Sequence, residues 1–357
     1  MKHSVYITWA KQHAAEACNL ANSGILACTP ADLPILPEDL ALNGESAEGY
    51  PALKAAIAAK YGADPDGVVL AQGTSGANFL ALSTLLEADD EVLVERPTYE
   101  PILAVARYLG ADIKRFSRSF EGAYQIDLDE IRSLLSPRTR LIVLTSPHNP
   151  SGVVVEPDRL QRLAAMASDA GATLLVDEVY RDILFEDAPE STVHLGPNCV
   201  ATNSLTKSYG LSGLRCGWIL CAPALAERMR QMNDLMGVTG PVPAEMLGRS
   251  AFKILPRLEA RTRSLIEPNA RLVHRFLNEQ AERLECVVPA RSMTVFPRLK
   301  FAESSDRLHD LLRRRQTSIV PGRYFEAPRH FRLGFGVQTE NVALGLRHLS
   351  EVLGELS

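Results

Sequence analysis

From about residue 66 to residue 221 the chain alternates short runs that are apolar throughout with longer stretches of helical spacing. The runs are GVVLAQ (67–72), DEVLVE (90–95), ADIKRF (111–116), RLIVLTS (140–146), ATLLVD (172–177), CVATNS (199–204) and CGWILC (216–221). Between them lie GANFLALSTLL (76–86), EPILAVARYL (100–109) and PDRLQRLAAMASDA (157–170), which read as helices. Strands alternating with helices predict an α/β fold with a mostly parallel, seven-stranded sheet sandwiched by helices. Runs such as LIVL and TLLV have no polar face, as expected of strands covered on both sides.

After residue 221 the texture changes. Residues 222–284 are mostly helical, including a charged stretch at 257–284 that is expected to break at Pro268. A smaller α+β pattern follows: strand-like 294–301, helix-like 304–315, strand-like 318–322 and 330–336, and a last helix from Glu340 to Leu353. The expected division is an N-terminal segment, 1–40, packing with the small domain; a large domain, 41–245; and a small C-terminal domain, 246–357.

Composition narrows the function classes. The 357 residues are 46% hydrophobic and 23% charged, which excludes disorder, and the net charge of -5 gives no basic excess for nucleic acid. The six cysteines form no CxxC pair and none lies near a histidine at metal-ligand spacing, so no metal is expected. There is no signal-like apolar run near the start and no apolar window of about 18 residues. The reading is a reduced, cytoplasmic, soluble protein with no membrane contact.

In open α/β sheets ligands bind beyond the carboxyl ends of the strands, so the residues at those ends are the candidates. GTSGA, with Gly73, Thr74 and Ser75, opens a helix whose free N–H groups suit a phosphate, although an ordinary helix cap reads the same way. RPTYEP offers Tyr99 as a flat stacking surface. PHNPSG is a rigid loop presenting Asn149. Asp177 ends an apolar strand, where a carboxylate is costly unless a cation or donor meets it; Tyr180 follows. Lys207 sits in NSLTKSYGLSGLRCGW (203–218), after Ser204 and before Arg215, among small residues and glycines such as Gly210 and Gly213 that let backbone approach closely. In FRLGFG, Phe331, Leu333 and Phe335 should face a core, while Gly334 and Gly336 leave room beside Arg332 for a ligand. A phosphate cradle, a stacking aromatic, an amide donor, an acid, a lysine and a cation together match pyridoxal 5'-phosphate.

These motifs, in this order, resemble the fold-type I pyridoxal-phosphate enzymes of the class I/II aminotransferase family, from EGYPALKAAIAAKYG (48–62) to HFRLGFG (330–336). The resemblance implies that Lys207 holds the cofactor as a Schiff base and carries the proton, and that Asp177 pairs with the ring nitrogen. It implies that Asn149 and Tyr180 hydrogen-bond the ring hydroxyl, that Tyr99 stacks on the ring, and that Gly73, Thr74, Ser75, Ser204 and Arg215 hold the phosphate. Arg332 is then the fork for the substrate α-carboxylate, and the NSG loop ending at Gly24 closes over the substrate. The implied activity is transamination between an α-amino acid and a 2-oxo acid in a homodimer. Many relatives carry a tyrosine that reaches the neighbouring subunit's phosphate; its place here falls at Asn43, Gly44 and Glu45. A lyase, decarboxylase or cyclising synthase on the same fold would use the same residues. The aminotransferase-like module of a transcription regulator is a further reading, and it requires a DNA-binding domain that this sequence does not contain.

Overall fold

The computed structural model describes residues 3–13 and 16–356. Seven strands form one sheet: β1 (Val68–Gln72), β2 (Glu91–Arg96), β3 (Asp112–Ser117), β4 (Thr139–Thr145), β5 (Thr173–Asp177), β6 (Cys199–Ser204) and β7 (Cys216–Leu220). Their spatial order is β1-β7-β6-β5-β4-β2-β3. Each coincides with one of the seven apolar runs, with boundaries within about one residue.

Burial explains why those runs are apolar throughout. Along β4, Leu141 and Val143 pack into one core while Ile142 and Leu144 pack into another, so neither face meets water. Helices α1 (Val5–Gln12), α2 (Gly73–Leu85) and α3 (Glu100–Leu109) precede or follow the first strands. Leu80 and Ala81 of α2 and Ile102 and Leu103 of α3 cover the first face, and Leu160 and Leu163 of helix Pro157–Asp169 cover the second.

All strands but β7 run the same way; β7 is antiparallel to both β6 and β1. The short link from Ser204 to Cys216 suits an antiparallel return, since a parallel crossover usually needs a dozen or more residues. The reversal matters for function. It brings the amino end of β7, and Arg215 just before it, to the rim where the other strands deliver their carboxyl ends.

The second half differs from expectation in several places. The stretch expected to break at Pro268 is one continuous helix, α4 (Leu255–Glu279). Proline removes one N–H, which orphans the carbonyl four residues back, here that of Ser264, which is exposed and open to water. The buried stripe of Leu258, Thr262, Ile266, Asn269, Val273 and Phe276 keeps helical spacing across the proline and holds the helix together. The run 294–301 is not one strand. Its first part, β8 (Thr294–Val295), joins a three-stranded antiparallel sheet with β9 (Val320–Pro321) and β10 (Phe331–Gly334). Beyond Pro297, Arg298–Leu299 pairs instead with Leu284–Glu285. The last helix, α5, spans Thr339–Leu356.

Phe331, Leu333 and Phe335 enter the core with α4 and α5, as alternation requires. The glycine face of β10 is not left open for a ligand. A Cβ at Gly334 would collide with the Asn22 carbonyl, and one at Gly336 with the Gly24 carbonyl. The glycines make room for residues 20–26, which are laced to the strand by Gly334 N–H to Leu20 O (2.7 Å) and Leu26 N–H to Gly336 O (2.6 Å).

Candidate active site

The strand ends and the loops and helix start that follow them line a cavity of about 180 Å³, made by Thr74, Ser75, Asn78, Tyr99, Thr145, Asn149, Asp177, Val179, Tyr180, Thr206, Lys207 and Arg215. Gly73 and Ser204 underlie the Arg215 end; Arg332 and Gly24 adjoin through Asn149 and Lys207 respectively. The structure therefore brings together the residues from which the sequence assembled the site, from Gly24 and Gly73 to Arg215 and Arg332.

At one end of the cavity is a cradle of small groups. Gly73 has φ +69, and a Cβ there would collide with the Arg215 guanidinium, so only glycine leaves the arginine its position. Helix α2 is capped by Gln72 without a side-chain hydrogen bond. Thr74 and Ser75 therefore lie inside the first turn instead of capping it, and the free N–H groups of that turn remain for an anion. The Thr74 hydroxyl donates to Ser204 Oγ at 2.8 Å. Arg215 is exposed on this single chain and anchored by its own Nη1 to Ser212 O at 3.1 Å and Nη2 to Gln72 O at 3.2 Å. Gly210 permits a close approach to Leu26 O, whereas Gly213 faces open space and serves no such contact.

At the other end Asp177 accepts from Asn78 Nδ2 at 2.7 Å and from Val179 N–H at 3.0 Å. Asn78 is itself fixed by Thr202, whose hydroxyl donates to its Oδ1 at 2.6 Å. Burial pushes the Asp177 carboxyl up to about 6 despite those two donors. Tyr180 has a buried hydroxyl with no partner, and burial pushes it up to about 12, so it is a proton donor at neutral pH.

Lys207 is half-buried against the cavity and donates to Ser23 Oγ at 2.9 Å. Burial, then the Arg332 and Arg215 charges, bring its amine down to about 8, with Asp177 opposing. At pH 7 roughly a tenth of such an amine is neutral, against about one part in 3,000 for an ordinary lysine.

Arg332 is fully buried and donates through Nη1 to Asn149 Oδ1 at 2.9 Å. That contact leaves the Asn149 Nδ2 donor for a ligand. Asn149 is held in turn: its N–H donates to Thr145 Oγ1, and Thr145 donates N–H and hydroxyl to the buried Glu95, which pairs with buried Arg118 at 2.8 Å.

Asn78 and the Glu95–Arg118 pair escape the sequence reading, and Ser23 enters it only as part of the NSG loop. Asn78 left a signal, a lone amide inside an apolar helical run. Glu95 also did, as an acid closing an apolar strand. Arg118 left none.

A buried unpartnered phenol, a glycine that preserves an arginine, a helix start, a lysine and a tethered acid fit the ring, phosphate and aldehyde of pyridoxal phosphate. The pattern of the aminotransferase class I and II family matches residues 41–349, most of the length. The chain belongs to that family. Its cofactor is pyridoxal 5'-phosphate and its fold is the aspartate-aminotransferase-like fold type I. Among the relatives of this family member is a capreomycidine synthase from Streptomyces vinaceus, 32% identical over 85% of this chain and 78% of the relative. Among solved structures, a pyridoxal-phosphate-dependent aminotransferase from Streptococcus suis is 28% identical with a TM-score of 0.91, covering 98% of this chain and 97% of that one. The pyridoxal-phosphate-dependent cyclase OrfR is 26% identical with a TM-score of 0.90, covering 100% and 98%. No helix among the described residues is long and apolar enough to cross a membrane.

Proposed function

We propose that the chain moves an amino group between an α-amino acid and a 2-oxo acid. The observation that carries this reading is Arg332. It is buried, it has an unpaired Nε, and it lies close enough to depress the Lys207 amine. A carboxylate held on that guanidinium would set its α-carbon beside the lysine. When bound, pyridoxal phosphate supplies an electron sink for the charge left on that carbon.

The protein's part is then as follows. Lys207 would anchor the cofactor and, once released, would take the α-proton as a neutral amine and give it back two atoms along, on the far side of the nitrogen. Asp177, tethered by Asn78 and Val179, keeps a positive ring nitrogen charged. Tyr180 and Asn149 donate to the ring oxygen, and Tyr99 covers the ring. Thr74, Ser75, Ser204, Arg215 and the start of α2 hold the phosphate. The NSG loop, through Gly24, closes the substrate side.

The test is acceptor dependence. An accepted amino acid should give its 2-oxo acid only when pyruvate or 2-oxoglutarate is present, in amounts matching the new amino acid, with ping-pong kinetics. A second reading, a cyclising synthase, draws support from the synthase and the cyclase among the similar proteins. It requires substrate loss without an acceptor and without release of a 2-oxo acid, so the same assay separates the two.

We read the chain as a cytoplasmic homodimer built of the segments 1–40, 41–245 and 246–357. Leu235, Met236 and Val238 stand 82%, 48% and 69% exposed, which favours a covering partner, and Arg215 is open on the single chain. Sedimentation should give twice the chain mass. An active species sedimenting at the mass of one chain would end that reading.

A further inference from the structure

A guanidinium carries five N–H protons, and here three are committed. Nη1 gives one to Asn149 Oδ1 at 2.9 Å, and Nη2 gives both of its own, to Tyr6 Oη at 2.8 Å and to the Ala21 carbonyl at 2.9 Å. Nε is buried without a partner. A guanidinium grips a carboxylate with two parallel bonds along one of two edges, Nε with Nη2 or Nη1 with Nη2. Both edges need Nη2. As arranged, Arg332 offers a carboxylate only single bonds.

The two groups on Nη2 are not equivalent. The Ala21 carbonyl is part of a fixed turn: the N–H groups of Ala21 and Asn22 both donate to Asn19 Oδ1 at 3.1 Å, and Leu20 is tied to Gly334. Tyr6 reaches in from α1. Its oxygen accepts from Arg332, which leaves its own proton to give, and no acceptor takes that proton among the described residues. Its ring is 5% exposed and packs edge-on against Tyr99 at 5.9 Å, beside Trp9, Tyr324 and Phe325. Tyr6 therefore touches both the arginine and an aromatic of the cavity wall.

We propose that Tyr6 is a carboxylate-binding residue of this site, its hydroxyl donating to one oxygen of the α-carboxylate while an unpaired proton of Arg332 donates to the other. The inference rests on the reading of Arg332 as the carboxylate site.

Tyr6→Phe keeps the ring and its packing and removes only the hydroxyl. The calorimetric dissociation constant of propanoate, an unreactive carboxylate, should rise about 10-fold, the size of one hydrogen bond to a charged group. The KM values for amino and 2-oxo acids should rise by a similar factor with kcat within about two-fold. Affinity for pyridoxal phosphate should stay unchanged, which shows that the fold is intact. Unaltered propanoate binding would reduce Tyr6 to packing and overturn the proposal. Tighter binding would overturn it too, because Tyr6 would then be a placeholder that the carboxylate displaces. Arg332→Lys and Arg332→Ala are measured alongside, with expected losses in kcat/KM of about 30- to 1,000-fold, alanine the larger. If the Arg332 variants weaken propanoate and Tyr6→Phe does not, only the Tyr6 inference falls. If the Arg332 variants bind propanoate normally, the carboxylate reading itself falls.

Discussion

Lys207→Ala should lower turnover by at least about 10⁴-fold, since in the role proposed for it the lysine is both the anchor of the cofactor and the group that moves the proton. The variant should still bind pyridoxal phosphate reversibly, because the cradle of Gly73, Thr74, Ser204 and Arg215 does not involve the lysine. Borohydride treatment of the loaded wild-type protein should leave the cofactor mass on the peptide carrying Lys207 and on no other. Attachment at a different lysine, or a variant with normal turnover, would remove the basis of the functional reading. The pH dependence has a definite sign. The amine attacks only when neutral, and burial with two nearby guanidinium groups brings it to about 8. Cofactor attachment to the cofactor-free protein should therefore speed up with pH and reach half its maximum near that value. Arg332→Ala relieves a repulsion on the ammonium form and should move the midpoint upward; Asp177→Asn removes an attraction and should move it downward.

Asp177→Asn should cost about 10³- to 10⁴-fold in turnover, equivalent to about 4–5.5 kcal/mol of lost charge stabilisation in a desolvated site. The same change should make the cofactor-free protein more stable at neutral pH. The carboxyl is raised by burial from 3.8 to about 6, so between those values the folded state holds the proton more tightly than the unfolded one. Stability must then fall as pH rises through that window, by about 3 kcal/mol in all. An amide avoids this penalty. Against it stands a loss of about 1–2 kcal/mol, because Asn78, pinned by Thr202, would face a second donor. The net expectation is a gain of about 1–2 kcal/mol in denaturant unfolding near pH 7, turning into a loss of about the same size below about pH 4. A less stable variant with near-normal turnover would make Asp177 a backbone tether for Val179 and nothing more.

The large sheet is legible because each of its strands is buried on both faces, and a run such as LIVL has no other stable use in a soluble chain. Lys207, Asp177, Asn149 and Tyr99 are legible for a related reason: they interrupt or follow such runs, where polar groups are expensive without a task. What could not be read depends on partners distant in sequence. The reversal of β7 is set by the length of its link and by the neighbours it finds. Pro268 was expected to end a helix, and the stripe along α4 overrides it. Gly334 and Gly336 do give room, as glycines should, but to the chain's own segment 20–26 and not to a ligand. No local pattern says that Tyr6, an aromatic on a short helix, will meet an arginine 326 residues away.

The lacing of residues 20–26 across β10 has a bearing on how this enzyme is made. Asn19 and its partner Ser318 are 299 residues apart, and Ala21 and Arg332 are 311 apart. At typical translation speeds the early segment leaves the ribosome roughly 15 to 60 s before its seat exists. Throughout that interval Tyr6, Trp9, Leu20 and Ile25 have no native partner in the small domain. The residues of the phosphate cradle, by contrast, all lie at or before Arg215. A chain arrested near residue 320 would thus have the residues of its phosphate cradle yet no seat for the substrate. Capture of the cofactor can precede completion of the catalyst during synthesis, and the last strand to emerge is the one that confers competence.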